Sequence, residues 1–364
     1  MAWRRNGRNL LLLTTTWFYF LVFAQFALLH QVERLCTPLE LKWVLGSMTL
    51  CGVAGALLAG ARCGGSGLRW WIGSAQALAF LAAILAGHAG SSAGLWLPAA
   101  LTGLALGVLT VAALAWVAER SIRLEAGVLV GGATGLAYLL ANLPWVFQAT
   151  PMRQGYVAAA AVCLGSIALF EGRRRTRKLN VRAPAEPSGK WQLWLAILLF
   201  AGLVWVDSAA FAWMQSLRSL RDAVWGEGLH LWSIGIVHLF AALATGYLLS
   251  IGRSVGVICL IGFAALLTGY AMVIALDLGL PGVWVYMSGV SMYSTALVAY
   301  PLLTQPEGSV ARSAGRLFAC AGWAASAMGI GMVEDLGRMP AVAWLVVAVL
   351  VIALPGSLQQ GRCV

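Results

Sequence analysis

Two titratable side chains stand inside long apolar stretches of this sequence, where an ionisable group needs a partner or water. Asp207 lies in the apolar run 193–214, and His238 lies in the run 231–252. An acid at the centre of a bilayer costs about 3 kcal/mol on insertion scales, and such groups mark ion and substrate pathways. We therefore predict that Asp207 and His238 form a protonatable couple. The alternative is a buried hydrogen bond that only locks the two helices together.

The spacing of these two residues supports a common depth. If both runs are antiparallel helices that cross a membrane, each residue lies seven positions, or about 10 Å, from the same surface. Other side chains that can hydrogen-bond or make soft contacts fall in apolar runs, and we predict that they line the same cavity: Gln25, Tyr138, Asn142, Met292 and Tyr293.

Methionines suggest a second kind of chemistry. Met328 and Met332 are four residues apart and share one face of a helix, while Met214 and Met287 fall in the outer third of their own runs, as does His238. Thioether and imidazole groups are the ligands that a Cu(I) pathway uses. The sequence thus leaves open a metal site, although methionine is also a common filler of apolar gaps.

The elements that position these residues are twelve apolar segments separated by short polar hinges. An apolar core about 30 Å thick needs roughly 20 helical residues per crossing, so twelve crossings occupy almost all of the 364 residues. We predict an all-α integral membrane protein with twelve transmembrane helices. The predicted spans are 10–29, 43–61, 70–87, 95–118, 126–147, 154–170, 193–214, 231–252, 255–276, 283–303, 317–333 and 341–354.

Composition and charge agree with this class and exclude others. The chain is 61% hydrophobic and 10% charged, which lies far outside the range of soluble domains. The net charge of +11 does not indicate nucleic-acid binding, because the basic residues sort by side of the membrane. With a cytoplasmic N-terminus, all but six of the 24 Lys and Arg residues lie inside; the six are Arg34, Lys42, Arg153, Arg218, Arg221 and Arg338. We predict a bacterial-type inner-membrane protein with both termini in the cytoplasm.

A basic, proline-containing stretch divides the chain into two groups of six spans. It begins with Arg173-Arg174-Arg175-Thr176-Arg177-Lys178 and ends at Lys190. We predict an N-terminal six-helix bundle over 1–172, a cytoplasmic linker over 173–190 and a C-terminal six-helix bundle over 191–364. No nucleotide-binding loop, serine elbow or zinc signature is found, so we expect no enzymatic activity and no cofactor.

The layout of six plus six spans with a basic central loop resembles the major facilitator superfamily of transporters. In that family the loop after the second helix carries an Asp, an Arg, any residue and a Gly; here Arg62 and Gly64 match, and Ala61 stands in the place of the Asp. Arg253 follows the eighth span in a similar context. The resemblance implies two six-helix bundles around a central cavity, with Arg62, Gly64 and Arg253 in cytoplasmic gating loops.

What the resemblance implies for function is secondary transport of a small solute by alternating access, with or without protons. The methionines are similar in kind to those of the facilitator-type bacterial copper importers, but Ala242 stands four residues after His238, where those proteins have a Met. Copper or another metal is therefore an alternative cargo. A further alternative is a membrane sensor or assembly factor that keeps the fold without transporting, since the loop after the second span lacks its acid.

Overall fold

Local capping signals mark the ends of some of the helices. A computed structural model describes residues 2–64, 67–121, 123–170 and 190–354. The second long helix begins at Pro38 behind the N-cap Thr37, whose side chain accepts from the Glu40 backbone while Glu40 reaches back to Thr37. This reciprocal capping satisfies amide groups that the helix itself leaves unpaired. Gly337, with φ +61°, ends the eleventh helix, because glycine adopts left-handed backbone at little cost.

Twelve long helices span the described residues, and we number them α1 to α12. Helices α1 and α11 each contain a π-helical segment. The bounds are α1 Ala2–Tyr19, Phe20–Ala27 and Leu28–Leu35; α2 Pro38–Arg62; α3 Leu68–Gly87; α4 Trp96–Ala118; α5 Arg123–Ala141; α6 Pro151–Ser166; α7 Lys190–Ser216; α8 Gly228–Ser250; α9 Val255–Ile274; α10 Gly279–Thr304; α11 Val310–Leu317, Phe318–Ala325 and Ser326–Leu336; and α12 Ala341–Ala353.

The predicted all-α membrane architecture is confirmed. Nine helices of the described residues are long and apolar enough to cross a membrane. The other three of the twelve helices are the shorter apolar helices 125–141 and 341–353 and the helix α10. Helix α12 shows the pattern clearly: Leu345, Val349 and Ile352 are exposed along one face, while Val347 and Val351 are buried. A helix with an apolar exposed face fits a lipid surface rather than water.

The fifth predicted span, 126–147, differs from the structure. Helix α5 ends at Ala141, Leu143 is extended with ψ 129°, and a separate short helix covers Pro144–Phe147. The residue before a proline is driven out of helical geometry by the proline ring, so the break falls one residue before Pro144. The other spans keep their positions, but α1 begins at Ala2, eight residues before the predicted start, and α11 begins at Val310, seven residues before it.

The predicted linker 173–190 lies outside the described residues, apart from Lys190 at the start of α7. The two halves meet mainly through two helix pairs, α5 with α8 and α2 with α11, with further contacts of α5 with α10 and of α4 with α11. Gly131 of α5 lies against Ala242 and Gly246 of α8, and Gly60 of α2 lies against Gly315 of α11. In a bilayer, apolar side chains gain no hydrophobic free energy by leaving lipid for a helix interface. Small residues instead allow the two helix backbones to come close enough for van der Waals packing.

Candidate functional site

The Asp207 carboxylate is held between two phenols of a neighbouring helix. Tyr286 of α10 donates to Asp207 Oδ1 at 2.5 Å and also lies 3.0 Å from the Asp207 backbone carbonyl. Tyr293, also of α10, donates to Asp207 Oδ2. Each carboxylate oxygen therefore has a hydrogen-bond donor, which offsets the cost of placing an ionisable group at this depth.

His238 forms a second polar cluster with α5 and α10. The ring is buried, its Nδ1 lies 2.7 Å from Ser291 Oγ, and it stacks on Tyr138 with ring centroids 4.0 Å apart and an angle of 3°. The Ser294 side chain lies near the Tyr138 phenol. Helices α5, α8 and α10 thus meet at one imidazole, and α5 belongs to the other half of the chain.

The direct couple between Asp207 and His238 predicted from the sequence is not formed in this conformation. Among the hydrogen bonds of the described residues, none joins the two side chains; each takes its partner from α10. The alternative was a buried hydrogen bond between these two residues that locks α7 to α8. The observed hydrogen bonds instead join α7 to α10 and α8 to α10. The sequence placed both residues at one depth but did not show that α10 separates them.

The helical spacing on α10 explains this arrangement. Tyr286 and Tyr293 are seven residues apart and share one face, whereas Ser291 is rotated by about 200° from Tyr293. The sequence predicted Tyr293 as a site residue, but neither Tyr286 nor Ser291. The seven-residue spacing of the two tyrosines was the available signal for Tyr286; a lone serine in an apolar helix carries none.

Packing closes the site toward the side of the membrane that holds the N-terminus. Residues 105–117 of α4 and residues 295–302 of α10 are all buried, so these helix halves have neighbours on every side. Asp207 and Tyr138 lie at the edge of this packed region and keep part of their surface accessible. The site therefore borders a fully packed region on the predicted cytoplasmic side, while the side chains of Asp207 and Tyr138 are only partly buried.

Two buried hydroxyl groups without hydrogen-bond partners lie between this site and the packed region. Thr134 is one helical turn before Tyr138 on α5, and Thr295 is one turn after Ser291 on α10; both Oγ1 atoms are buried without a hydrogen-bond partner. On α1, the buried Thr14 Oγ1 and Trp17 Nε1 also lack a hydrogen-bond partner. Unpaired buried polar atoms are costly, and they are found where water or a ligand binds.

The remaining residues of the predicted cavity have different surroundings. Asn142 is buried one turn beyond Tyr138 and donates to the Tyr138 carbonyl at 2.9 Å, so it caps the end of α5. Met292 packs over Gly262 of α9. Gln25 lies in the π-helical segment of α1, is exposed, and makes no side-chain hydrogen bond within the described part of the chain.

The methionines predicted as metal ligands are spread over three helices. Met214 of α7 and Met287 of α10 are buried, whereas Met328 of α11 is 66% exposed. Gly329 and Ser326 form the face of α11 that meets α7. About the helix axis, Met328 lies about 100° from Gly329 and Met332 about 60° from it. His238 already has Ser291 and Tyr138 as partners. Nothing in these positions brings the predicted ligands to one point, and the metal site stays a prediction.

The residues of the predicted gating loops lie at helix ends. Arg62 is the last residue of α2, Gly64 follows it, and Arg253 follows the end of α8; all three are exposed. No ion pair of the described residues involves Arg62 or Arg253. Their gating role remains a prediction.

The Ser291 hydroxyl is expected to matter for stability. In Ser291→Ala the buried His238 Nδ1 loses its partner, which costs about 1–3 kcal/mol for an unsatisfied buried group. Thermal unfolding of the purified protein should show a lower melting temperature. Ser288→Ala is the matched control, because Ser288 Oγ bonds only the Trp284 carbonyl of its own helix at 2.9 Å. Equal melting temperatures for the two variants would contradict the assignment.

Comparison with known proteins identifies the fold. No family model matches the sequence, and no curated protein matches it at significant sequence similarity. Three solved structures align over nearly the whole chain. The human organic anion transporter TETRAN has TM-score 0.70 and 15% identity over 98% of this chain and 99% of its own. The proton:xylose symporter XylE of the major facilitator superfamily, bound to a bromodeoxyglucose, has TM-score 0.69 and 11% identity, with 98% and 95% coverage.

A bacterial homologue of the iron transporter ferroportin, in its outward-facing state with soaked iron, has TM-score 0.68 and 12% identity over 96% of this chain and 98% of its own. These likenesses confirm the predicted fold of twelve helices in two bundles. They also agree with the predicted layout of six plus six helices. At such low identity they establish the arrangement of the helices and nothing about cargo.

Proposed function

Because the chain has the major facilitator fold, we propose that it is a secondary transporter that moves a small solute by alternating access, with Asp207 as the proton-carrying group. The observation that supports the proposal is the Asp207 carboxylate, which is only partly buried and is held by Tyr286 and Tyr293 beside the fully buried half of α10. A group in this position changes its access to the two compartments when the halves rock.

The interface between the halves supports this motion. Helices α5 and α8 touch along their whole length through small residues, from Gly127 beside Gly246 to Asn142 beside Gly235. His238 of α8 stacks on Tyr138 of α5 across this interface, so a displacement of one half against the other alters the cluster directly. In the proposed cycle, the packed halves of α4 and α10 separate to release the solute toward the predicted cytoplasmic side.

The charges near the site favour a neutral or cationic solute. No Lys or Arg side chain of the described residues is buried, and Asp207 carries the formal charge of the site. An anion placed beside this carboxylate would be repelled with no nearby cation to compensate. Phenol, hydroxyl and imidazole groups of Tyr138, Ser291 and His238 can hydrogen-bond a polyol or an amine.

The first experiment is a thermal-stability screen of the purified protein. The panel contains sugars, amino acids, organic cations, organic anions, Cu(I) and Zn(II), since binding to the folded state raises the melting temperature by mass action. We expect neutral or cationic compounds to stabilise the protein and His238→Ala to lose that response. Stabilisation by anions alone would overturn the proposed selectivity, and Cu(I) alone would favour the metal alternative. If no compound of the panel raises the melting temperature, the result would favour the non-transporting sensor or assembly factor.

A further inference from the structure

A groove away from the central site lies where α2 and α11 meet at their predicted cytoplasmic ends. Its volume is about 180 Å³, and it opens at the protein surface beside Leu57, whose side chain is 47% exposed. Its lining residues come from both halves of the chain: Leu57, Gly60 and Ala61 from α2, and Arg312, Gly315 and Arg316 from α11.

The floor of the groove is bare backbone. A methyl group at Gly60 would lie 3.1 Å from Gly315 Cα, and one at Gly315 would lie 2.8 Å from Gly60 Cα. The two helices therefore approach without side chains between them. The side chains of Leu57, Arg312 and Arg316 border the space above this contact. Arg312 and Arg316 are four residues apart, so both project from the same side of α11 over this floor.

The groove carries positive charge without an internal counter-ion. None of its lining residues is acidic, and no ion pair of the described residues involves Arg312 or Arg316, which are both exposed. Ala61 occupies the position at which the resembled transporter loop has an acid. Arg312 also lies in the first turn of α11, where the helix dipole adds a partial positive charge.

We propose that this groove binds the phosphate group of an anionic ligand through Arg312 and Arg316. Guanidinium groups bind phosphate oxygens through paired hydrogen bonds, and two of them on one helix face present a suitable fork. The exposed Leu57 and Leu58 beside the groove fit acyl chains, so an anionic phospholipid headgroup is one source of the phosphate, and free inorganic phosphate is the other.

The test measures thermal unfolding of the purified full-length protein in uncharged detergent. Dioctanoyl phosphatidylglycerol, dioctanoyl phosphatidylcholine and inorganic phosphate are titrated separately. We expect phosphatidylglycerol to raise the melting temperature, phosphatidylcholine not to do so, and the double variant Arg312→Gln/Arg316→Gln to need at least about tenfold more phosphatidylglycerol for half of the effect. Arg253→Gln is the matched control, since Arg253 lies on the same predicted side but outside the groove.

A second variant decides the matter if the double variant does not fold. Ala61→Asp supplies an acid inside the groove, which should compete with the ligand for the arginines and weaken binding by about tenfold. Stabilisation by phosphate alone identifies a soluble anion, and stabilisation by phosphatidylglycerol alone identifies the lipid; both support the phosphate site. Equal stabilisation by both lipids, no stabilisation by any of the three ligands, or wild-type responses of Ala61→Asp and the double variant, overturn it.

Discussion

Asp207→Asn is expected to abolish solute-driven proton movement while the protein still folds. The amide has the shape of the carboxylate but cannot bind and release a proton in the physiological range, so the proposed carrier is lost. One of the two phenols, Tyr286 or Tyr293, keeps an acceptor, and the other loses it at a cost of about 1–3 kcal/mol. The protein is reconstituted into liposomes that contain a pH-sensitive dye, and each compound of the panel is added outside.

At least one neutral or cationic compound should acidify the interior of liposomes that contain the wild-type protein. The interior pH of Asp207→Asn liposomes should change no more than that of protein-free liposomes. Asp222→Asn is the control, because Asp222 is exposed on the helix Arg218–Trp225 and forms an ion pair with Arg221 at 3.5 Å. Proton movement that survives in Asp207→Asn would exclude this carboxylate as the carrier. A lower melting temperature of Asp207→Asn with unchanged transport would reduce Asp207 to a structural lock between α7 and α10.

Gly131→Ala is expected to destabilise the protein strongly for so small a change. A methyl group at Gly131 would lie 2.9 Å from Gly246 Cα and closer still to the Ala242 carbonyl, both on the α8 backbone. Backbone atoms cannot rotate away as a side chain can, so α5 and α8 must separate. Overpacking of this kind costs about 1–3 kcal/mol, more than the gain of up to about 1 kcal/mol in helix propensity from glycine to alanine.

The neighbouring glycine supplies the control. A methyl group at Gly132 would meet only the ends of the Leu10 and Leu243 side chains, at 3.4 and 3.9 Å, so Gly132→Ala should be neutral or slightly stabilising. Gly246→Ala, whose methyl group would lie 3.0 Å from Gly131 Cα, should behave like Gly131→Ala. Thermal unfolding of the three purified variants checks the order. If Gly131→Ala unfolds at the same temperature as Gly132→Ala, the close contact of α5 and α8 does not limit stability.

Residue type and spacing alone determined the class and the architecture of this protein. Apolar runs of about 20 residues identify membrane helices directly, since a bilayer tolerates no unpaired backbone along a lipid-exposed span. The same argument identified Asp207 and His238, because an ionisable group in an apolar run is rare and costly. It also placed them at one depth, since depth follows from position along a helix.

What the tertiary structure alone decided is which helix faces which. Depth is a property of one helix, but partners depend on rotation about the helix axis and on packing between helices far apart in the sequence. Asp207 and His238 therefore do not meet each other. They meet Tyr286 and Ser291 on two sides of α10, partners that lie 79 and 53 positions away in the sequence. The groove of Arg312 and Arg316 arises in the same way, because Gly60 and Gly315 bring together two helices from opposite halves of the chain.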